Sequence, residues 1–387
     1  MMEITNKSKC YGCTACFNQC PRNAIKMVED ERGFKYPKID NDKCINCRLC
    51  KKICPANSQV DKNEENNIIV YAAKHKDEII RENSTSGGLF SAISEYVLKN
   101  NGIIYATILD ENYEVKYTRA DNKCDRDKMR GSKYVQSDLL NCFCLIENDL
   151  HDNKLVLFVG NPCYVAGLKS FLKYKEYNNL ILCDIVCHGV PSPKIFREHI
   201  NLINSKGKIK KYIFRDKKIG WRGTNVTIEY GNKIETNTAF SDIFCDLYFD
   251  GYISRDCCSK CKFTSIIREA DITIGDFWGI EKYHKNINDE KGINLVILNT
   301  QKGIELFDKI SSDLNYEVSS INNCLQPQLM YPSKENKKKK YFWKDYKKRG
   351  FLYVAKKYTK YGIKNKIIIA TKKLIPNSIK EKIKGLK

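Results

Sequence analysis

The sequence has no long apolar run. Nothing in its 387 residues approaches the ~20 consecutive apolar residues that a membrane-spanning helix needs. No positively charged segment followed by an apolar stretch opens the chain, so no secretory leader is predicted. Nor can its cysteines all pair, because there are 19 of them, an odd number that argues against a secreted disulfide framework. These absences predict a cytoplasmic protein in a reducing compartment, with a position peripheral to the inner face of the membrane as a variant of that expectation. Acids are scarce in one place. Residues 331–387 carry 20 Lys and Arg against Glu335, Asp345 and Glu381, so 17 of the 21 net positive charges sit there and four in the rest. Arguments about acidic partners concern this tail.

What the chain does have is two matching cysteine runs. Cys10-x2-Cys13-x2-Cys16-x3-Cys20-Pro21 and Cys44-x2-Cys47-x2-Cys50-x3-Cys54-Pro55 lie 34 residues apart. This is the spacing of a two-cluster bacterial ferredoxin, in which three thiolates of one run hold a 4Fe-4S cube and the fourth reaches across to the other. Cys10, Cys13, Cys16 and Cys54 are expected on one cluster, and Cys44, Cys47, Cys50 and Cys20 on the other. A zinc ribbon would want two separate C-x2-C pairs rather than triplets. The chain is therefore expected to move electrons.

Beyond residue 61, a polar, acidic stretch reads as a linker, and Ile68–Ala73 as a buried strand. Leu89, Ala92, Ile93, Tyr96 and Val97 have the spacing of a helix over 89–99, closed by Asn101-Gly102. Strands are predicted at 103–109, 114–120, 155–159, 180–186, 224–230, 271–274 and 294–298, in a sheet continuing through residue 300. The segment 155–186 is a β-α-β unit. If its strands are parallel, Cys163 and Cys187 share the carboxyl edge where open α/β sheets bind ligands.

Cys258-x2-Cys261 could chelate a cluster or a zinc ion. A four-thiol site needs two more ligands, and Cys163 and Cys187 are the natural supply. Cys257 breaks the spacing and ranks lower. Cys124, Cys142, Cys144, Cys183, Cys245 and Cys324 lack ligand spacing and read as packing residues. Ser84-Thr85-Ser86-Gly87-Gly88 precedes the 89–99 helix, where small residues and free amides can cradle a phosphate or merely cap the helix. Arg130–Ser137 adds cations and an aromatic ring in a glycine-containing loop.

These segments in order, with Gly160–Cys163, Cys187–Pro193, Cys258–Cys261 and Ala270–Gly279, resemble the coenzyme F420 hydrogenase/dehydrogenase beta-subunit family, fused behind a ferredoxin domain. The resemblance covers about residues 1–330. It implies FAD beside a 4Fe-4S cluster, passing electrons between a two-electron partner and one-electron carriers. It also implies FAD against Ser84, Thr85, Ser86, Gly87, Gly88, Ser132, Lys133, Tyr134, Gln136, Ser137 and Asn161, and a proximal cluster on Cys163, Cys187, Cys258 and Cys261. Lys133 is the candidate cationic partner of the flavin and His188 a candidate proton donor, with structural roles as the alternative for both. Trp278 and Phe277 could cover the flavin or sit in the core. F420, NAD(P)H and ferredoxin are the redox partners implied.

The expected architecture is a multidomain α+β and α/β chain. A bacterial-type ferredoxin fold over 1–61 precedes an FAD-binding domain with a mixed sheet over 62–152, a cluster-bearing C-terminal domain over 153–330, and a basic helical tail over 331–387. The tail mixes Lys337–Lys340, Lys347-Lys348-Arg349 and Lys356-Lys357 with aromatics, followed by the apolar patch 367–370. A helix packed on the enzyme and an interfacial helix on anionic lipid both fit that pattern, and nucleic-acid binding ranks last for want of a recognised module. The expected function is a flavin- and iron-sulfur-dependent oxidoreductase. The alternative is a non-catalytic electron-relay subunit of a larger redox complex, with a link to surface-polysaccharide synthesis.

Overall fold

The computed structural model describes residues 3–58, 68–205, 207–218 and 220–361. The 61–67 linker and the 367–370 patch lie outside the described residues.

The N-terminal unit repeats one plan. Each cysteine triplet turns through left-handed residues, Gly12 (φ 71°) and Thr14 (φ 59°) in the first copy, Asn46 (φ 55°) and Arg48 (φ 61°) in the second. A one-turn helix then follows, Ala15–Asn18 and Leu49–Lys52. Between the copies runs a hairpin of β1 (Ile25–Glu29) and β2 (Lys35–Ile39), paired antiparallel with Ile25 opposite Ile39.

The body is built on β3 (Ile69–His75), β4 (Ile103–Leu109), β5 (Val115–Ala120), β6 (Val156–Gly160) and β7 (Leu180–Ile185). A second sheet holds β8 (Ile209–Ile213), β9 (Asn225–Tyr230) and β10 (Lys233–Thr238), and the chain returns with β11 (Ile272–Asp276), β12 (Asn294–Leu298) and β13 (Leu314–Ser319). The large sheet is eight-stranded and mixed, in the order β13-β3-β12-β11-β7-β6-β4-β5. Its centre, β4-β6-β7-β11, is parallel, and its flanks are antiparallel. Short apolar runs such as Leu157-Phe158 and Leu295–Leu298 are buried on both faces, as central strands covered by helices must be. The helix Leu89–Lys99 forms where its apolar stripe predicts, burying Leu89, Ala92, Ile93 and Val97.

One expectation is corrected. The strand at 224–230 does not extend the large sheet but forms the middle of the separate three-stranded sheet β10-β9-β8. That sheet packs with the helices Pro193–Asn204 and Ile243–Phe249 around Ile195, Phe196, Phe214, Val226 and Phe244, a core of its own inserted between β7 and β11. A strand's alternation says which face is apolar and not which sheet receives it. The tail helix Lys339–Tyr358 lies on this insert with Phe342, Trp343, Tyr346, Phe351, Val354 and Ala355 buried. Trp343 Nε1 donates to the Tyr252 carbonyl at 3.1 Å, and Lys339 Nζ pairs with Asp256 at 2.7 Å. The described part of the tail is thus two helical stretches, kinked at Gly350, packed on the insert with a lysine-rich outer face. Among the described residues no helix is long and apolar enough to cross a membrane.

Candidate functional site

Three cavities are lined by thiols. Cys10, Cys13, Cys16 and Cys54 surround one, with Tyr11, Gly12, Thr14, Met27 and Pro37. Cys20, Cys44, Cys47 and Cys50 surround another, with Ile25, Ile39, Ile45 and Leu49. The fourth cysteine of each run has crossed to the other set, as the run spacing predicts. The first set is buried, whereas Cys47 is exposed and Cys44 half-buried. Burial and the neighbouring thiols push Cys13 up to about 12 and Cys54 up to about 11, so these groups would ionise only against a compensating positive charge. Among the described residues no three His, Cys, Asp or Glu side chains converge on a single-ion site. The Cys-x2-Cys-x2-Cys spacing around each of the first two cavities fits a 4Fe-4S cluster better than a zinc ion.

The third cavity is lined by Cys163, Cys187, Cys257, Cys258 and Cys261. β6 and β7 are parallel, so the loops after them carry Cys163 and Cys187 to one sheet edge. Gly189 N–H donates to Cys187 Sγ at 3.3 Å and Val190 N–H to Cys258 Sγ at 3.4 Å, contacts that stabilise negative charge on the sulfurs. Gly189 sits at φ 87°, and a Cβ there would stand 3.0 Å from Cys258 Cβ, so the Cys187-His188-Gly189 turn needs glycine twice over. Cys257 lines the same cavity, a fifth thiol that the C-x2-C spacing had placed lower. Of the remaining cysteines, Cys142, Cys183, Cys245 and Cys324 are buried packing residues, Cys144 is half-buried against the same core as Cys142, and Cys124 is exposed.

A cavity of about 330 Å³, far larger than the three thiol cavities, opens at the carboxyl edge of β6, β7 and β11, within the size range of cofactor sites. Ser84, Thr85, Ser86, Gly88, Ser132, Lys133, Tyr134, Ser137, Asn161 and His188 line it. The two sequence motifs are stitched together, since Thr85 Oγ1 accepts from the Ser132 N–H at 3.0 Å. Asn161 caps the helix Pro162–Phe171 without spending its side chain on the cap, and that residue lines both this cavity and the third thiol cavity. Ser84 and Ser86 hydroxyls are committed to the carbonyls of Ile80 and Ile293, and the Leu89 N–H is taken by Asn294 Oδ1 at 3.1 Å. The helix end is therefore partly capped from within.

Three expected residues stand elsewhere. Gly87 does not line the cavity; it lets the loop approach the sheet, where a Cβ would stand 2.6 Å from the Ala73 carbonyl oxygen. Gln136 is turned inward, donating to the Tyr11 carbonyl at 3.2 Å and Tyr164 hydroxyl at 3.1 Å and accepting from Arg255 at 2.8 Å. Phe277 is core, leaving Trp278 on the cavity wall, stacked on Trp221 at 5.3 Å with the Arg215 guanidinium 5.0 Å away. Lys133 lines the cavity but spends its ammonium on the carbonyls of Met129, Arg130 and Gly131 at 2.8 to 3.1 Å. Burial pulls it down to about 7, and these three acceptors oppose that pull. It ties down the loop that ends the preceding helix. Burial also lowers His188, with Arg215 adding to the effect, which favours a neutral imidazole.

Sequence reasoning missed two buried arginines. Arg255 donates to the Cys10 carbonyl at 2.7 Å and reaches Cys10 Sγ at 3.5 Å, with its guanidinium 4.1 Å from the Tyr36 ring. Arg268 lines the third thiol cavity and stands 3.6 Å from the wholly buried Asp184, whose carboxyl burial pushes up to about 6. No local spacing announces either one, since Arg255 is 245 residues from its partner.

Paired cysteine runs closing on two thiol cavities, with a third at the edge of a mixed sheet, define an iron-sulfur electron-transfer protein. Residues 9–58 match the 4Fe-4S dicluster domain. Residues 70–143 match the N-terminal part, and residues 153–323 the C-terminal part, of the coenzyme F420 hydrogenase/dehydrogenase beta subunit. The chain belongs to the coenzyme F420 hydrogenase/dehydrogenase beta-subunit family, as an iron-sulfur electron-transfer protein of the oxidoreductase type with its own dicluster domain. Among solved structures it is similar to a chain of the xenon-derivatised F420-reducing NiFe hydrogenase complex from Methanosarcina barkeri. The identity is 16%, covering 65% of this chain and 82% of that one, with a TM-score of 0.43. No curated protein matches the chain.

Proposed function

We propose that this protein is an FAD-dependent oxidoreductase in which the 330 Å³ cavity holds the flavin and the thiol sets hold three 4Fe-4S clusters. The division into 1–61, 62–152, 153–330 and 331–387 belongs to the same reading. The observation that carries it is a shared wall: Asn161, Cys187, Gly189 and Val190 line both the large cavity and the third thiol cavity. When bound, FAD supplies the exchange between hydride-type and single-electron transfer that iron-sulfur clusters need.

The chain's own residues would do the rest. Thr85 and Ser132 hold the two loops at one spacing, and Lys133 keeps the second loop closed on its helix. Trp278, backed by Trp221 and Arg215, offers a flat ring at the cavity wall for a planar two-electron partner, of which F420 is the lead and NAD(P)H the competitor. Tyr11 lines both the third thiol cavity and that of Cys10, Cys13, Cys16 and Cys54, and Cys16, Cys20, Cys50 and Cys54 pack in one cluster between the latter cavity and that of Cys20, Cys44, Cys47 and Cys50. The order of centres from the large cavity outward is therefore Cys163/Cys187/Cys258/Cys261, then Cys10/Cys13/Cys16/Cys54, then Cys20/Cys44/Cys47/Cys50.

Anaerobic purification followed by assay of iron, acid-labile sulfide and released flavin tests this. About 12 iron per chain, four for each of three clusters, together with one FAD is expected, and the pure protein should then be reduced by F420H2 or NAD(P)H. About 8 iron without flavin would instead favour the non-catalytic relay subunit.

A further inference from the structure

The N-terminal unit is built twice on one plan, and the two copies meet different surroundings. Shifting by 34 residues pairs Tyr11 with Ile45, Gly12 with Asn46, Thr14 with Arg48, Ala15 with Leu49 and Asn18 with Lys52. In the first copy this face is sealed by the body. Tyr11, Thr14 and Ala15 are buried, Ala15 in one core with Phe143 and Leu168. Asn18 Nδ2 donates to the Leu140 carbonyl at 3.1 Å, and a Cβ on Gly167 would stand 3.0 Å from Cys13 Sγ. In the second copy no described residue covers the same face. Ile45 is 60% exposed and Leu49 37%, and Asn46, Cys47, Arg48 and Lys52 are exposed.

The bare face also carries an excess of positive charge, with Asp42 just before it in the chain. Residues 43–58 hold Lys43, Arg48, Lys51 and Lys52 and no acid, and Arg22 lines the adjoining cavity. None of these five cations forms an ion pair among the described residues. Exposed cations crowded together without partners raise the local potential and steer an acidic partner toward contact. The apolar pair Ile45 and Leu49 gives that contact a dry centre.

We propose that this face docks an acidic protein carrying a one-electron centre, seated on the second copy as the body is seated on the first. The inference rests on the relay reading above and adds where the relay ends and what kind of partner meets it. One electron crosses per encounter, and what the Cys20/Cys44/Cys47/Cys50 centre loses or gains the partner's centre gains or loses, with no bond or proton moved. Ile45 occupies at this end the place that Tyr11 occupies between the two inner centres.

The test uses the full chain with its clusters in place, reduced anaerobically and mixed in stopped flow with an acidic two-cluster ferredoxin, with benzyl viologen as a small carrier for comparison. The wild-type rate with ferredoxin is expected to fall steeply as salt is raised, because screening shortens the reach of the basic face. R48E/K52E should lose at least about tenfold in that rate and keep its rate with benzyl viologen. K26E/K38E changes the charge equally, but Ile25 and Ile39 line the cavity, so strand alternation turns Lys26 and Lys38 to the other side of the hairpin. That variant should stay within about twofold of wild type. A wild-type rate indifferent to salt, an unaltered R48E/K52E, or equal losses in both variants overturns the docking face. Iron analysis separates this from the parent reading: a chain without N-terminal clusters sinks the relay itself, whereas full clusters with an unaltered R48E/K52E sink only the docking site.

Discussion

The two copies of the cysteine motif share spacing and backbone, yet one is a buried joint and the other a surface. Gly12 and Asn46 take the same left-handed conformation, but a Cβ at Gly12 would stand 2.6 Å from Gln136 Nε2 and 3.1 Å from Arg255 Nη1, while Asn46 is exposed. Glycine at position 12 is needed for close approach as well as for φ, and at 46 an asparagine suffices. The difference teaches that a duplicated cofactor motif sets ligand geometry twice, and that the residues between the ligands decide what each copy touches.

The largest expected effect contrasts thiols within the body. Cys258→Ala should remove one cluster, lowering iron from about 12 to about 8 per chain, with loss of activity. Cys257→Ala should retain all three clusters, because Cys258-x2-Cys261 supplies two thiols from one turn and Cys257 falls outside that spacing. Equal iron loss in both would move Cys257 into the ligand set.

A second contrast separates the copies directly. Gly12→Ala should cost about 2–5 kcal/mol, from the left-handed penalty of about 1–2 and overpacking of about 1–3. Asn46→Ala should cost only the former. Melting temperatures compared side by side give the answer, and equal shifts would mean the first copy's seat is looser than its geometry requires.

Next comes Arg255, whose charge lies against the inner copy alone. Replacing it with Met removes a charged hydrogen bond near Cys10 Sγ. If that bond is worth about 1.5–3 kcal/mol to the reduced state, the potential of the cluster on Cys10, Cys13, Cys16 and Cys54 falls by on the order of 60–130 mV. The outer cluster's potential should stay put. Redox titration by electron paramagnetic resonance reads both, and a parallel drop in both would assign Arg255 a purely structural role.

The effect confined to the narrowest conditions is a pH dependence. Asp184 is wholly buried and its carboxyl is pushed from 3.8 up to about 6, so the native state holds its proton more tightly than the unfolded chain. Its contribution is fully present below about 4 and is lost as pH rises through about 6, worth about 3 kcal/mol over that window. Asp184→Asn should flatten stability over that range in denaturant titrations. An unchanged slope would place the carboxylate's proton affinity near its ordinary value, held there by Arg268 at 3.6 Å.

Much of the site was legible because its ligands sit on tight local turns. The runs at 10–20 and 44–54 name their own partners, and the strand-loop-helix at 156–171 announces a ligand-bearing edge. Residues whose role depends on distant contacts were not legible. Gln136 sits in a motif beside the cavity, yet it faces Tyr11, Tyr164 and Arg255. Gly87 likewise serves the sheet, whereas the core place of Phe277 was among the readings its sequence allowed. Lys133 lines the cavity as expected, but its charge is held by three carbonyls of its own loop.

By itself the sequence determined the ligand spacing, the duplication, and the parallel unit that brings Cys163 and Cys187 together, because these follow from chemistry within a few residues or one β-α-β step. Tertiary structure alone decided that β9 joins a separate sheet, that Tyr11 stands between two thiol cavities, and that the second copy keeps its face bare. Those outcomes depend on which surfaces bury each other, and burial is settled between segments far apart in the chain, where local pattern carries no record of the partner.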